Sequence, residues 1–289
     1  MIYYIENQIL KAGISSTGAE LKSLIKNDRE YIWQGDKKYW SYSAPIMFPV
    51  CGRMLDDSYS VNGKVYPMEK HGFCRGAEFE VTNQGKDFVS FTITANEKLK
   101  AIYPFNFTFT VTYKLDGDKL CVLFNVQNLG CKKMYFSVGG HPAFNLPFAS
   151  NNKFEDCYVE FSSPCPAKRM EFSPRYLKSG NFPLFDGENL TKVQLHHGIF
   201  NKDAIFLKDT AKTVYLKDKS GLGVKIDFAD MKYLGIWHPV NTDAPFVCLE
   251  PWQGSPALDG EITEITTAED FICLGRKEQK TLGFTITVL

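Results

Sequence analysis

The sequence predicts an all-β fold for the 289-residue chain, and three observations support that prediction. Segments rich in β-branched and aromatic residues recur along it, many of them about eight to twelve residues apart. Turn signals separate them, as at residues 115–118 and 219–221. No amphipathic helical pattern of useful length is present. This spacing is typical of a sandwich or a barrel.

The clearest predicted strand covers residues 105–113. Aromatic or aliphatic side chains occupy its odd positions and Asn or Thr its even positions, which is the two-residue period of a half-buried strand. Segments with the same compositional bias predict further strands at residues 88–94, 120–129, 157–161, 204–208, 213–217, 223–228, 233–237, 246–250 and 281–289.

Residues 166–202 are the main interruption of this pattern. Prolines and glycines punctuate a charged stretch there, at positions 166, 174, 180, 183 and 187, so we expect a loop excursion. Neither this segment nor any other has the composition of a linker between separately folding halves, and no internal repeat is found. We therefore predict one domain over residues 1–289.

The charge balance limits the class of partner. The 33 Lys and Arg residues match the 33 Asp and Glu residues, so the chain has no long-range field to gather nucleic acid or an anionic membrane. Glu6 and Lys11 interrupt the N-terminal apolar run, and nowhere do about eighteen apolar residues run together. We expect a cytoplasmic protein that binds a small molecule, and neither nucleic acid nor membrane. The sequence does not indicate its oligomeric state.

The cysteines and the isolated histidines predict no metal site. Eight cysteines are scattered, lack C-x-x-C spacing and mostly lie in apolar segments, which favours free buried thiols over a disulfide framework. His196 and His197 are adjacent and would lie on opposite faces of a strand. The motifs of serine hydrolases, nucleotide-binding proteins and zinc proteases are absent.

Residues 139–145, GGHPAFN, hold the first candidate for chemistry. Pro142 favours an extended backbone at His141, and the glycines at 139 and 140 permit a turn or a close approach to a ligand. With Phe144 as an apolar wall and Asn145 as a polar contact, the stretch would suit a small-molecule pocket. The alternative is a histidine in the core or in a turn, bonded to a backbone carbonyl.

Residues 248–254, CLEPWQG, hold the second candidate. Glu250 follows an apolar run and precedes Pro251, which again favours an extended backbone. Partial burial would raise the pKa of this carboxyl and make it a better general base near neutrality. The alternative is a structural carboxylate paired with Arg53 or Arg75. Trp252 would either stack on an apolar sugar face or cover the core.

Residues 71–75, HGFCR, hold the third candidate. On a strand His71 and Arg75 would share a face and point into one cleft. Arg53, at the end of an apolar segment, carries a guanidinium that suits sugar hydroxyls or a phosphate; the alternative is a surface or carboxylate-paired arginine. Trp237, before His238, is a candidate cleft wall.

These stretches resemble the aldose 1-epimerase (galactose mutarotase) superfamily, and most closely its LacX-like branch. Six motifs occur in the order used by that family: GAELKS at 18–23, WQGD at 33–36 with Trp40, APIMFPVCGR at 44–53, HGFCR at 71–75, GGHPAFN at 139–145 and LEPW at 249–252. The resemblance implies a galactose mutarotase-like β-supersandwich, in which large antiparallel sheets form a hexose-binding cleft.

The resemblance also implies residue roles in the interconversion of α and β anomers. Glu250 would be the base that removes the O1 proton, and His141 the acid that protonates the ring oxygen. Arg53 and His71 would bind the sugar, and the family aspartate corresponds to Asp203 in NKDAIFL. The chemistry needs neither metal nor redox cofactor.

The chain departs from galactose mutarotases in two of these stretches. Those enzymes carry N-H-x-Y-F-N-L where this chain has GGHPAFN, and a glutamine-bearing stretch where it has Trp237. The resemblance therefore does not specify the sugar.

Three alternatives to a hexose epimerase are open at this point. The cleft would serve a carbohydrate-binding or sensing protein without turnover. A glycoside hydrolase would use Glu250 and Asp203 as paired carboxylates, which leaves the histidine motif idle. An epimerase of a hexose phosphate would use Arg53, Arg75 and a lysine as an anion site.

Overall fold

The computed structural model describes residues 1–289 and consists mainly of strands and the loops between them. The strands, in chain order, are β1 (Ile2–Glu6), β2 (Lys11–Ser15), β3 (Leu21–Lys26), β4 (Arg29–Glu30), β5 (Ile46–Met47), β6 (Ser58–Val61), β7 (Lys64–Pro67), β8 (Glu80–Gln84), β9 (Phe88–Thr94), β10 (Phe107–Asp116), β11 (Lys119–Asn128), β12 (Met134–Phe136), β13 (Gly139–Gly140), β14 (Ala143–Asn145), β15 (Cys157–Cys165), β16 (Lys168–Arg169), β17 (Leu190–Gln194), β18 (Ile205–Lys208), β19 (Thr213–Asp218), β20 (Gly223–Asp227), β21 (Tyr233–Trp237), β22 (Phe246–Trp252), β23 (Thr263–Glu264), β24 (Ile272–Leu274) and β25 (Gln279–Val288). The all-β prediction is confirmed.

Helical structure is limited to short pieces. The α-helix α1 (Glu97–Ile102) begins after Asn96, whose side chain accepts a hydrogen bond from the Leu99 backbone N–H. Short 3-10 turns occupy Leu55–Asp57, Cys74–Gly76, Phe154–Asp156 and His197–Phe200. None of these helices has the length and apolar character needed to cross a membrane.

Strand β10 forms close to where the alternation predicted a strand, with its bounds at 107 and 116. Its buried face carries Phe107, Phe109, Val111 and Tyr113. On the other face the Thr92 and Thr110 hydroxyls lie 2.8 Å apart across β9 and β10, so the polar face of the alternation is bonded between strands. Phe105 precedes the strand and is half-buried.

Two large antiparallel sheets dominate the molecule. Nine strands form one of them, in the order β17-β15-β19-β20-β25-β11-β10-β9-β8. Seven strands form the other, in the order β16-β18-β21-β22-β13-β5 with β14 also paired to β22. Strands β1–β4, β23-β6-β7 and β12-β24 form three smaller sheets.

The main core is one cluster of 69 buried residues that runs from Ile5 to Val288. Phe48, which follows β5, stacks on Phe109 of the nine-stranded sheet with ring centroids 4.3 Å apart. The backbone N–H and carbonyl of Phe48 also bond to His71 and Phe73. This side chain therefore joins the core to the loop that carries His71.

Strand β22 exposes different side chains to its two faces. Val247 and Leu249 belong to the main core, whereas Cys248 and Trp252 belong to separate clusters on the opposite side. Because side chains alternate along a strand, Glu250 lies on that opposite side too. The seven-stranded sheet thus separates the core from a second face, on which a cleft lies.

The cysteines are all free thiols, as the sequence predicts. Five are buried, and they are Cys51, Cys74, Cys157, Cys165 and Cys248. Cys131 and Cys273 are exposed.

Candidate active site

One cleft brings together the seven residues to which the sequence analysis assigned catalytic or sugar-binding roles or a place in the cleft wall. It encloses about 670 Å³ of space, including open solvent at its mouth. The predicted residues that line it are Arg53, His71, Arg75, His141, Asp203, Trp237 and Glu250. They come from positions far apart in the chain, and the antiparallel pairing of the seven-stranded sheet and its loops brings them together.

Strands β21 and β22 form the floor of the cleft. Gly235 pairs with Glu250, and on its other side Gly235 pairs with Phe206 of β18. A Cβ at Gly235 would lie 3.2 Å from the Glu250 Oε2 and 3.1 Å from its Cβ. The absence of a side chain at position 235 therefore leaves the room that the Glu250 carboxyl occupies.

His141 follows β13 and is held by its backbone. Its N–H donates to the Pro45 carbonyl at 3.1 Å. The segment before Pro45 is itself held by Glu20, whose carboxylate accepts from the backbone N–H groups of Ser43 and Ala44. The GAELKS and APIMFPVCGR motifs thus contact the histidine motif, and together they hold the His141 backbone in position beside the cleft.

The glycines before His141 have a different role from the one predicted. Neither lies in a turn or lines the cleft, since both belong to β13. A Cβ at Gly140 would come within 2.5 Å of the Phe284 ring, and one at Gly139 within 2.8 Å of the Met47 Cε. Close packing against the core and the neighbouring strand requires these glycines, rather than approach to a ligand.

The expectation that Phe144 and Asn145 line the pocket is wrong. Phe144 is fully buried in the main core. Asn145 Nδ2 donates to the backbone carbonyls of Glu30 and Ile32, so this side chain ties β14 to the segment after β4. Strand alternation places the motif's aromatic ring on the core face, away from the cleft.

His71 lies in a tight loop rather than on a strand, which corrects the reason given for its pairing with Arg75. Its φ is +69° and that of Gly72 is +76°; a Cβ at Gly72 would meet the Phe48 carbonyl oxygen at 2.0 Å. The Gly52 N–H donates to His71 Nδ1 at 3.1 Å. The proton of the neutral ring is therefore on Nε2. Burial, with nearby Lys70, lowers the pKa of His71 well below its usual value.

His141 and Glu250 form a buried pair at the cleft floor. His141 Nε2 lies 3.2 Å from Glu250 Oε1, and the two residues are 7% and 2% exposed. The contact lacks hydrogen-bond geometry, since Oε1 has no hydrogen-bond partner. Glu250 forms no ion pair with Arg53 or Arg75, which removes the structural alternative considered for it.

Burial shifts the pKa values of this pair in opposite directions. It raises the pKa of Glu250 well above the usual 4.5, and it lowers the pKa of His141 to about 3, with Lys70 adding to the decrease. Both shifts favour the neutral form, because burial penalises charge. In this neutral state the pair carries one titratable proton, which is on the Glu250 carboxyl. A Glu250 carboxylate beside a His141 imidazolium carries the same number of titratable protons.

Tryptophan rings enclose His141. Trp40 lies 4.9 Å from it and Trp237 5.6 Å, centroid to centroid, with Trp252 at 6.4 Å. The Trp40 carbonyl accepts from the Trp33 indole N–H at 2.8 Å, which accounts for the paired tryptophans of the WQGD motif. Trp40 was not among the predicted site residues, although that motif contains the signal.

Asp203 anchors one of these rings. It lies in a turn with φ of +75°, and its Oδ1 accepts from the Trp237 indole N–H at 3.1 Å. The carboxylate thus lies at the cleft wall and also fixes the orientation of Trp237.

Three cations line one side of the cleft. They are Arg53, Lys70 and Arg75, and none of them forms an ion pair with a carboxylate in the protein. Arg75 donates to the Lys70 carbonyl at 2.8 Å. Lys70 is exposed at the cleft, where partial desolvation of its ammonium and then the nearby Arg53 lower its pKa. The specific lysine was missed, although it directly precedes the HGFCR motif. The acidic side chains that line the same cleft are Asp203 and Glu250.

The remaining histidines lie outside the cleft. His197 Nδ1 is 3.1 Å from His238 Nε2, and the Phe154 ring stacks on His197 at 4.1 Å. Among possible metal ligands, one cluster has suitable spacing, and it consists of His141, Cys248 and Glu250.

A family model described as aldose 1-epimerase matches residues 1–262 of the chain. This chain belongs to the aldose 1-epimerase family. Among curated relatives, the plasmid-encoded protein LacX of Lactococcus lactis subsp. lactis is 33% identical over 279 residues, which cover 91% of this chain and 92% of the relative. The resemblance drawn from the six motifs is confirmed.

Solved structures support the same family fold. A galactose mutarotase-like protein from Lactobacillus casei ATCC 334 superposes with a TM-score of 0.94 at 32% identity, covering 100% of both chains. A galactose mutarotase related enzyme from Lactobacillus acidophilus gives a TM-score of 0.94 at 31% identity, covering 100% of this chain and 97% of that one. The galactose mutarotase-like architecture expected for an aldose 1-epimerase family member is confirmed.

Proposed function

We propose that this protein is an aldose 1-epimerase that interconverts the α and β anomers of a hexose by general acid/base catalysis. The observation that supports this is the buried pair of His141 and Glu250, 3.2 Å apart at the cleft floor. In a cyclic sugar the hydroxyl O1 and the ring oxygen O5 share the carbon C1. An acid and a base that act on these two oxygens must therefore lie close together, as this pair does.

The proposed reaction moves two protons and breaks one carbon–oxygen bond. Glu250 accepts the O1 proton while His141 donates a proton to O5, the C1–O5 bond breaks, and an open-chain aldehyde forms. Rotation about the C1–C2 bond presents the other face of the aldehyde. Ring closure then reverses both proton transfers. Each positioned proton transfer contributes about 10² to 10⁴ in rate.

The proton for His141 is supplied within the pair. The hypothesis drawn from the sequence requires this imidazole to begin protonated, and we expected a partner that raises its pKa. Burial instead lowers the pKa of His141 to about 3 and raises that of Glu250. A side-chain rotation that brings the two groups into hydrogen-bond geometry would let the Glu250 proton pass to His141, which produces the carboxylate and the imidazolium together. The nearby cation Lys70 favours the carboxylate and opposes the imidazolium, so its two effects offset each other.

The surrounding residues have the chemistry to hold a sugar. His71 presents an Nε2–H donor, because its Nδ1 accepts from Gly52. Arg53 and Arg75 add guanidinium donors, and Asp203 adds a carboxylate acceptor at the same cleft. The face of Trp237 offers an apolar surface for the carbon–hydrogen side of a pyranose.

The test is the rate of anomer exchange in two variants. Glu250→Gln and His141→Asn should each nearly abolish the acceleration of mutarotation measured by polarimetry, because each removes one of the two proton-transfer groups. Circular dichroism and thermal unfolding serve as controls for the fold. A wild-type rate in either folded variant contradicts the assignment, whereas saturable sugar binding without acceleration in the wild type selects the binding-protein alternative.

A hexose phosphate is a second candidate substrate, and the three cations without ion-pair partners favour it. Arg53, Lys70 and Arg75 lie on one side of the cleft, where a phosphate would replace the missing anions. Rates on galactose, glucose and glucose 6-phosphate distinguish the candidates. If the phosphate is recognised, Arg53→Gln should lower kcat/KM on glucose 6-phosphate by roughly 10- to 100-fold and change the rate on glucose much less. Equal losses on both sugars reject the phosphate.

A further inference from the structure

A group of three potential metal ligands lies at and beneath the cleft floor, with His141 and Glu250 lining the cleft and Cys248 buried below it. The proposed epimerase chemistry uses only His141 and Glu250. Single ligand atoms of His141, Cys248 and Glu250 all lie within 4.8 Å of one another. Cys248 and Glu250 are two residues apart on β22 and share a face. His141 joins them because it lies two residues before Ala143, which pairs with Cys248.

The polar atoms of this group are short of partners. Glu250 is 2% exposed, yet its Oε1 has no hydrogen-bond partner, and Cys248 is fully buried beside it. Buried polar atoms are normally bonded to a donor, a water or an ion. An unpartnered carboxylate oxygen that faces an imidazole nitrogen at 3.2 Å leaves a place that suits a cation.

We propose that His141, Cys248 and Glu250 bind a thiophilic divalent cation such as Zn²⁺. Zinc takes thiolate sulfur at about 2.3 Å, imidazole nitrogen at about 2.0–2.1 Å and carboxylate oxygen at about 2.0–2.2 Å, in tetrahedral geometry. The three side chains would supply three ligands, and water from the cleft the fourth. The thiol selects Zn²⁺ over Mg²⁺ and Ca²⁺, which prefer oxygen ligands.

Binding exchanges protons for the metal and involves no redox change. The Cys248 S–H bond breaks, its proton passes to solvent, and a sulfur–metal bond forms. Any proton shared by His141 and Glu250 is released as well. Bound metal thus removes both proton-transfer groups from use, so the cation should inhibit anomer exchange. This inhibition rests on the proposed function, whereas the binding itself does not.

Cobalt(II) tests the binding without reference to activity. Co²⁺ replaces Zn²⁺ in such sites, and a thiolate ligand gives a sulfur-to-cobalt charge-transfer absorption in the near ultraviolet. The background variant carries Cys131→Ser and Cys273→Ser, because those thiols are exposed and would bind Co²⁺ themselves. We expect this variant to show the band, Cys248→Ala to lose it, and Cys165→Ala, a matched change at a buried thiol on β15, to keep it.

Replacement of Cys248 should also lower the affinity of the protein for Zn²⁺. Loss of an outer-shell partner weakens metal binding by about 10- to 100-fold, so loss of a ligand in Cys248→Ala should weaken Zn²⁺ binding, measured by calorimetry, at least tenfold. No band in the background variant, or an equal band in Cys248→Ala, overturns the proposal.

Zinc inhibition is the second readout. Zn²⁺ should slow anomer exchange in the wild type and in Cys165→Ala at the same concentration, with recovery on addition of EDTA. Cys248→Ala should need at least about tenfold more Zn²⁺ for the same inhibition. Cobalt binding without any mutarotase activity would leave the metal site standing and reject the proposed function. A cobalt band that depends on Cys248, without inhibition of an active enzyme, would keep the site and reject the proton-transfer roles of His141 and Glu250.

Discussion

Burial of two neighbouring ionisable side chains gives the cleft floor its chemistry. Glu250 and His141 are both almost inaccessible to solvent, and the same desolvation opposes the charge on each. The pair therefore holds one proton over a wide range of pH. Because the two groups are coupled, the apparent pKa values of the reaction belong to the pair rather than to either residue.

The pH dependence of activity follows from these shifts. A second proton is added only as pH falls toward about 3, the lowered pKa of His141, so the acid limb of kcat/KM should lie far below 6.5. The pair loses its proton only at a pH well above 4.5, the usual pKa of a glutamate. The alkaline limb of kcat/KM should therefore lie at a correspondingly higher pH. Polarimetry corrected for the buffer-catalysed rate tests this. A loss of activity as pH falls through about 6.5 contradicts it.

Asp203 both lines the cleft and orients a neighbouring ring. The Asp203 carboxylate faces the cleft and also accepts from the Trp237 indole N–H. Under the proposed function, truncation of Asp203 would remove an acceptor for the sugar and at the same time release the Trp237 ring. The loss in such a variant cannot be assigned to sugar contact alone, since a positioning role contributes to it.

At the scale of elements, the pairing of β21 with β22 positions the carboxyl. Gly235 lies directly opposite Glu250 and leaves the space that its side chain fills. No positive φ requires a glycine there. The requirement is steric and comes from the neighbouring strand.

Gly235→Ala should move the Glu250 carboxyl without unfolding the protein. The added methyl would lie 3.1–3.2 Å from three atoms of Glu250, so the side chain must shift by a few tenths of an ångström. Because a misplacement of about 1 Å can cost about 10²-fold, we expect kcat to fall by roughly tenfold with little change in KM.

The matched control is Gly76→Ala, where an added Cβ meets no atom within 4 Å and φ is not positive. It should leave kcat unchanged. The pH profile supplies a second readout, since displacement of the carboxyl from His141 should shift the limbs of the profile in Gly235→Ala only. A wild-type kcat and profile in Gly235→Ala would show that position 235 does not position Glu250.

At the scale of the whole molecule, the buried histidines couple the cleft to folding stability. Burial lowers the pKa values of His71, His141 and His238. Below about pH 6.5 the unfolded chain binds protons at these positions that the folded chain does not, so stability rises with pH in that range and is lost as pH falls. The raised pKa of Glu250 acts in the opposite direction, but it is one group against three.

The thermal midpoint should therefore fall as pH decreases from about 6.5 to 5, a range above the usual carboxylate titrations. His71→Asn should make this dependence shallower, because it removes one titrating group and asparagine tolerates the left-handed backbone of position 71. Calorimetry at several pH values checks both statements. An equally steep dependence in His71→Asn would show that this histidine does not contribute.

Phe48 connects the main core to a loop of the cleft. Its ring stacks on Phe109, and its backbone bonds to the loop that carries His71. The loop that carries His71 is therefore anchored in the same core that holds the nine-stranded sheet.

The sequence could predict the strands and the site candidates because both leave local signals. Alternation marked β10, and Gly, Pro or Trp beside a titratable residue marked Glu250, His141 and His71. Local signals failed where packing decides. Phe144 belongs to the same motif as His141, yet it faces the core, since strand alternation and the pairing of β14 with β22 determine its side.

The sequence by itself determined the fold class, the family and seven of the residues that meet in the cleft, since these depend on periodicity and on ordered motifs. It missed Trp40 and Lys70 and wrongly added Phe144 and Asn145. Only the tertiary structure decided what those residues meet. The 3.2 Å contact of His141 with Glu250, the space above Gly235 and the approach of His141 to Cys248 all arise between different segments of the chain. Burial, which sets the protonation of the pair, is likewise a property of the whole packed molecule and cannot be assigned to a residue from its neighbours in the chain.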